Sequence, residues 1–322
     1  MAEKTPEEIN ELVKKFRKWI NTQPQLPNDL EDKLLRRFLH GCHYDLEKTK
    51  NAFKIFISVR EQCPELLCDR DPLSPQVQKM FTFLKQAQIM LPRNRKLWIW
   101  KLDDPGMLNF DSFQDAKMFF IITDMWLLFD DVLEDEDIIL TDTKDIVSLR
   151  FFYSKFSFSI ARRMIKYQQV NDNTYHLFVI QVAAKVIHLS EYASINNRGD
   201  DGEALPVRLK QIHIVNTPPF IDRLFTWIKP FLKKEITDMM HFHTPNSDTL
   251  YNYFSKDELP EDYGGTLAKI DDRMQDFVEE IVSKREYFLK NDLWKVKKED
   301  EEKCENINEL KEGLSLTALT ID

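Results

Sequence analysis

At 322 residues, with 43% hydrophobic and 12% aromatic side chains, the chain is long enough for two domains and can bury a large core. Its formal net charge of −9 argues against a generally basic, nucleic-acid-binding surface and leaves room only for a local basic patch. The 7 Gly form no P-loop and no G-x-G-x-x-G turn, no G-x-S-x-G elbow occurs, and the 4 Cys lack zinc spacing.

The polar start MAEKTPEEIN reads as no secretory leader, and no apolar run reaches the ~18 residues of a membrane span. A reducing cytosol is expected. Residues 1–90 read as a small helical domain. Thr5, Pro6 and Glu8 form a capping box before a stripe of Ile9, Leu12, Val13, Phe16 and Ile20. A second stripe, Leu30, Leu34, Leu35, Phe38 and Leu39, stops at Gly41. A third runs from Asp45 through Phe53, Phe56 and Ile57 to Pro64.

From about residue 91 the texture changes. Leu97 to Trp100, Ile138 to Leu140, Ile212 to Val215 and His241 to His243 are β-prone. They alternate with helical stretches at about 113–132 and 151–169 and from Phe220 onward. That alternation predicts an α/β domain with a small, mostly parallel sheet over residues 91–270. A helix resumes after Asp271, with Met274, Phe277, Val278 and Ile281 on one side, and beyond Trp294 a Lys/Glu-rich tail, read as solvated and disordered, closes the 271–322 segment.

Several constellations bear on chemistry. His213, His241 and His243 attract attention. His241 and His243 share one side of a strand and read either as a hydrogen-bonded pair at a sheet edge or as a metal site lacking its other ligands. Neither a metal nor a resident cofactor is expected. The acidic run Asp130, Asp131, Glu134, Asp135, Glu136 and Asp137 reads as a solvated turn. Phe151, Phe152, Phe156, Phe158 and Ile160 are either dense core or the lining of an apolar cavity. Arg208 and Lys210, two apart, fall on one side and suit a phosphate, or are two solvated strand-edge charges. Phe220, Ile221, Leu224, Phe225, Ile228, Phe231 and Leu232 form one stripe, with Arg223, Lys229, Lys233 and Lys234 largely off it. This is either an ordinary amphipathic helix over a sheet or a lid hinged at Pro218 and Pro230.

These segments resemble the CRAL-TRIO family. Leu35-Arg36-Arg37-Phe38-Leu39 and Tyr44 to Thr49 are similar to its N-terminal helical part. Residues 206–218, then Lys229-Pro230-Phe231-Leu232, His241-Phe242-His243 and Leu259-Pro260-Glu261-Asp262-Tyr263-Gly264-Gly265, match later signatures in order. The resemblance spans about residues 26–267 and leans to the branch that carries tocopherol and retinaldehyde. It implies a monomeric, cytoplasmic, reversibly membrane-associated carrier of one small hydrophobic ligand, closed in by a mobile lid helix, with no covalent step.

Phe119, Phe120, Thr123, Met164, Tyr167, Leu205, Val207, Ile212, Phe220 and Phe225 match the family's cavity wall. Phe156, Phe158, Ile160, Ile214, Leu224 and Ile228 join it from the aromatic run, the strand and the stripe. Arg208 and Lys210 match two cations of a phosphoinositide site, which makes an anionic membrane surface a transient partner; Cys42 and Met239 stand where the tocopherol carrier has arginines. Asp145 stands where the family has Gly. Residues 170–202 are an insertion, read either as a genuine excursion or as translated intron. The competing readings are a scaffold with a collapsed cavity and a lipid-modifying enzyme.

Overall fold

The first helix, α1 (Pro6–Ile20), starts as its sequence dictates: Thr5 Oγ1 accepts from Glu8 N, and Thr5 N donates back to the Glu8 carboxylate. The computed structural model describes residues 4–62, 64–67, 69–145, 206–219 and 234–290. The predicted helix at 151–169, the insertion at 170–202, most of the predicted lid helix and the tail beyond residue 290 lie outside these described residues.

Helices α2 (Asp32–Gly41) and α3 (Leu46–Gln62) pack with α1 through an edge-to-face cluster of Phe16, Phe38, Phe53 and Phe56, with ring centroids 5.0 to 5.6 Å apart along its T-shaped contacts. Gly41 ends α2 for a reason other than a turn. The reversal falls on His43 and Tyr44, which take positive φ, whereas a Cβ on Gly41 would sit 2.4 Å from the Pro206 backbone. The glycine therefore permits close contact between the bundle and the segment leading into a distant strand. Two further helices, α4 (Pro64–Leu67) and α5 (Pro75–Phe83), follow.

The helical reading up to residue 90 is too long. Strand β1 (Leu84–Leu91) begins directly after α5 and pairs antiparallel with β2 (Arg95–Leu102). Gln86 to Ile89 alternate polar and apolar as a strand should, but no Gly or Pro separates β1 from α5, so the change of period is unmarked in the sequence. After the 18-residue helix α6 (Ser112–Phe129) come β3 (Glu136–Asp142), β4 (Leu209–Val215), α7 (Lys234–Asp238) and β5 (Met240–Phe242). The sheet order is β1-β2-β3-β4-β5, with β2 to β5 parallel. The architecture is thus α/β: a helical N-terminal bundle leading into a mostly parallel five-stranded sheet.

Both sheet faces are covered. Trp98, Trp100, Ile139, Ile212, Ile214 and Met240 join one core with α6 and the bundle. Leu97, Ile99, Ile138, Leu140 and Val215 join a second core with Leu250, Phe254, Leu259 and Ile270. This is the alternation expected of a two-sided sheet. Helix α8 (Ile270–Ser283) packs on β1, burying Met274 and Ile281 as its stripe predicts, and α9 (Arg285–Lys290) follows.

Candidate ligand site and its basic corner

Helix α6 has two working sides. Trp126 meets Trp98 of the sheet edge-to-face at 5.5 Å, so the stripe through Phe119, Thr123 and Trp126 looks toward the sheet. Phe119, Ile212 and Ile214 are buried in one cluster, and Val207 packs against it. Thr123 is buried and its hydroxyl donates to the Phe119 carbonyl at 2.8 Å. Phe120 is placed differently. It lies about 100° round the helix from Phe119, under the Arg60 guanidinium at 5.2 Å, on the side that carries Asp124 toward the bundle. Phe156, Phe158, Ile160, Met164, Tyr167, Leu205, Phe220, Leu224, Phe225, Ile228 and Pro230 fall outside the described residues.

The sequence reading missed Asp115, one turn before Phe119 on the sheet-facing side of α6. Burial, reinforced by the charge of Asp111, pushes its carboxyl up to about 7. Its signal was an acidic residue in the first turn of a largely apolar helix.

A basic corner lies at the edge of this layer. Arg208 is the last residue before β4, and Lys210 on β4 is exposed. The Arg208 guanidinium donates to the His40 carbonyl at 2.7 and 2.9 Å and stands 3.5 Å from the Asp135 carboxylate. It therefore caps the C-terminal end of α2, where a cation complements the exposed carbonyls. Burial and the charges of Arg208, Lys210 and Lys48 lower the pKa of His43, a sign of positive potential across the corner. Cys42 is buried here and Met239 is half-buried.

The acidic run is a solvated turn only in part: Asp131 and Asp135 are exposed. Glu134 and Asp137 are buried. The Glu134 carboxylate accepts from Trp126 Nε1 at 2.7 Å and faces Arg37 at 3.3 Å and Lys96 at 3.8 Å. Asp137 accepts from Trp98 Nε1 and from the Arg208 backbone N, both at 2.7 Å; burial and the Glu134 charge raise its pKa. Lys96 also pairs with Asp130, and Lys33 with Asp131. These charges join α2, the sheet and the start of β4.

Past β4 the chain is pinned. Asn216, at φ 55°, donates to Asp142 at 2.9 Å; Thr143 Oγ1 donates to the Val215 carbonyl; Thr217 N donates to the His243 carbonyl. Asp145 does not take the left-handed conformation. It accepts from Asp104 N at 2.8 Å instead, so no glycine is required there.

The histidines form a neutral stack on the other sheet face. His213 Nδ1 is 3.0 Å from His243 Nε2, His243 Nδ1 is 2.8 Å from Thr249 Oγ1, and His241 Nδ1 is 3.0 Å from the Tyr253 hydroxyl. Among the described residues, no group of three or more His, Cys, Asp or Glu is placed to hold a metal. Burial, with the neighbouring imidazoles, lowers His213 to about 3 and His243 to about 4. Because these folded values lie below the ordinary 6.5, the unfolded chain binds more protons between them, and stability falls as pH drops from about 6.5 toward 4. Urea titrations at pH 7.5 and 5.5 should show this fall, with His243→Gln reducing it; a variant that falls as steeply as the wild type assigns the effect elsewhere.

Residues 5–77 match the Pinta-like, UBA domain, and residues 202–265 match the CRAL/TRIO domain. The "Alpha-tocopherol transfer protein-like" protein of Homo sapiens is 22% identical over 77% of this chain and 62% of its own length, and that of Mus musculus aligns over the same shares. "Clavesin-1" of Xenopus laevis is 38% identical over 69 residues, 21% of each chain. The chain thus spans about 62% of the length of the first of these relatives. A solved structure, "Crystal structure of Sfh5", covers 88% of this chain and 100% of its own, with 12% identity and a TM-score of 0.39; the fold stands on the elements themselves. The chain is similar to the CRAL-TRIO family, including its tocopherol-transfer-like members. Among the described residues, no helix is long and apolar enough to cross a membrane.

Proposed function

We propose that this chain, similar to CRAL-TRIO lipid-binding proteins, binds a single small hydrophobic molecule and transfers it between membranes without chemical change. The observation that carries the reading is the shared burial of Phe119, Ile212 and Ile214 between α6 and the sheet, bordered by Val207 and by a basic corner. The other wall residues and the lid expected from the sequence lie outside the described residues. Burial of apolar ligand surface at roughly 25 cal/mol per Å² gives affinity without covalent chemistry.

The basic corner is the membrane-sensing part. Arg208, Lys210 and Lys48 would meet an anionic headgroup, each contributing about 1 kcal/mol at the surface. Arg208 already binds the His40 carbonyl, so a headgroup that engages it competes with the contact holding α2 against β4. Release of cargo then follows as a shift in population toward an open form. The chain works in the cytoplasm as a monomer and touches membranes transiently.

Lys210→Glu tests the membrane part without disturbing the Arg208 contacts. Sedimentation with phosphoinositide-containing vesicles should show roughly tenfold weaker binding, with capture of a hydrophobic probe unchanged. Equal vesicle binding by variant and wild type would remove the basic corner from the account.

A further inference from the structure

Three histidines meet where β4 and β5 pair. His213 on β4 and His243 just past β5 are buried, and His241 on β5 is half-buried. The His213 ring lies 5.0 Å from the His241 ring and 5.3 Å from the His243 ring, and it meets Tyr253 and Phe254 edge-on. The polar atoms form one chain. Gln211 Oε1, His213, His243, Thr249 and Ser247 follow one another at 3.2, 3.0, 2.8 and 2.9 Å. Each buried ring gives one proton and accepts one, which is the full capacity of a neutral imidazole.

A second proton has one place to enter. At His213 Nδ1 it would set two N–H donors head to head. At His243 Nδ1 the exposed Thr249 hydroxyl can turn and accept it. The charge so created meets no counterion. The groups that face the stack are the neutral Gln211 and Leu140 from the sheet and Ser247, Thr249, Tyr253 and Phe254 beyond β5. Asp248, on the 3-10 turn Asp248–Asn252, is exposed, and Asp142 is engaged by Asn216 and Tyr263. Among the described residues, no carboxylate pairs with any of the three rings.

The backbone makes that charge consequential. Strand β5 is only three residues long. His243 N donates to the Ile214 carbonyl at 2.8 Å, and Thr217 N donates to the His243 carbonyl at 3.0 Å. The same two strands carry Ile212, Ile214 and Met240 into the core shared with α6. An unpaired charge on one face of this short pairing therefore acts on the cargo wall at the other.

We propose that the histidine stack is a proton-operated latch, in which uptake of a proton at His243 opens the β4–β5 pairing and speeds release of the cargo. The release rests on the carrier reading; the opening does not. Burial holds His243 at about 4 in the closed form, against 6.5 for an ordinary imidazole, so opening takes up a proton between those values and acid favours the open form. An anionic membrane surface at about −30 mV concentrates protons roughly threefold, which places the stimulus where cargo is delivered.

The full chain is loaded with retinol, and transfer to neutral phosphatidylcholine vesicles, which carry no anionic headgroup for the basic corner, is timed at pH 7.5 and 5.5. The wild type should release roughly tenfold faster at the lower pH, the gain expected when opening exposes one ordinary imidazole. His243→Gln keeps a neutral polar group in the stack; it should match the wild type at pH 7.5 and show no acid gain. An undiminished gain in the variant overturns the latch and assigns the titration to His40 or His43. Amide exchange in the wild type reads the opening itself. Protection at His243 and Thr217, taken relative to the β2 amides, should drop about tenfold over the same range. Unchanged relative protection overturns the latch even where the variant fails to fold. A wild type whose amides open with acid but which captures no retinol keeps the latch and counts against the carrier reading.

Discussion

Asp124→Asn should destabilise the protein by about 3–5 kcal/mol. Asp124, Arg60 and Arg70 are fully buried, and the carboxylate takes one guanidinium at 2.5 Å, the other at 2.7 Å and the Tyr287 hydroxyl at 2.8 Å. Burial alone would raise the Asp124 pKa, but the two cations outweigh it and hold the carboxyl below its ordinary value. The neutral amide removes the carboxylate charge that the two buried guanidinium groups share. The cluster ties α3, the segment before α5, α6 and α9 together, so the loss is felt across the bundle. A lowered carboxylate pKa also gives stability that is present above the ordinary value of 3.8 and lost as pH falls through the folded value. Urea unfolding should show a lower midpoint at unchanged slope. A change under 1 kcal/mol would mean that the cluster is not closed against water.

The second large effect is expected at Glu134. Its carboxylate faces Arg37 and Lys96 and accepts from Trp126, and Arg37 lies over the Trp126 ring at 4.6 Å. Arg37 also donates to the Asp130 and Val132 carbonyls, which holds the loop after α6 against α2. Glu134→Ala removes the shared acceptor and leaves two buried cations to Asp130 and backbone oxygens alone. A loss of about 3–5 kcal/mol follows. The double variant Arg37→Met, Glu134→Leu should recover part of it, because an apolar pair of similar volume needs no countercharge. If the double variant is no better than the single one, the Trp126 hydrogen bond rather than the charge pair carries the effect. The Arg208 backbone N is tied to Asp137 in the same network, so a weakened socket should also loosen the basic corner.

The elements were legible where period and caps agreed. The box of Thr5 and Glu8, the stripe of Phe16 and Ile20, and the β-prone runs at Leu97, Ile138 and Ile212 each state their structure locally. Strand β1 was hidden because it follows α5 with no turn residue between them, so its short alternation from Gln86 to Ile89 reads as the end of the helical part. The charges were misjudged for a different reason. Asp124 reads as a break in an apolar run, and Glu134 and Asp137 read as part of a solvated turn. Their partners, Arg60 and Arg37, lie 64 and 97 residues away, and no local pattern shows such pairings. Gly41 was legible as a stop, but its contact with Pro206 is a fact of packing. The same holds for the site. Phe119, Ile212 and Ile214 were expected together and lie in one core, whereas Phe120, expected beside them, meets Arg60 because of the way α6 packs.

The central claim is that the protein holds one hydrophobic molecule. Native mass spectrometry of freshly purified full-length chain, with organic extraction of what accompanies it, tests that directly. The account predicts a single stoichiometric apolar compound. A protein that arrives empty and then refuses tocopherol, retinoids and phosphoinositides alike would contradict it.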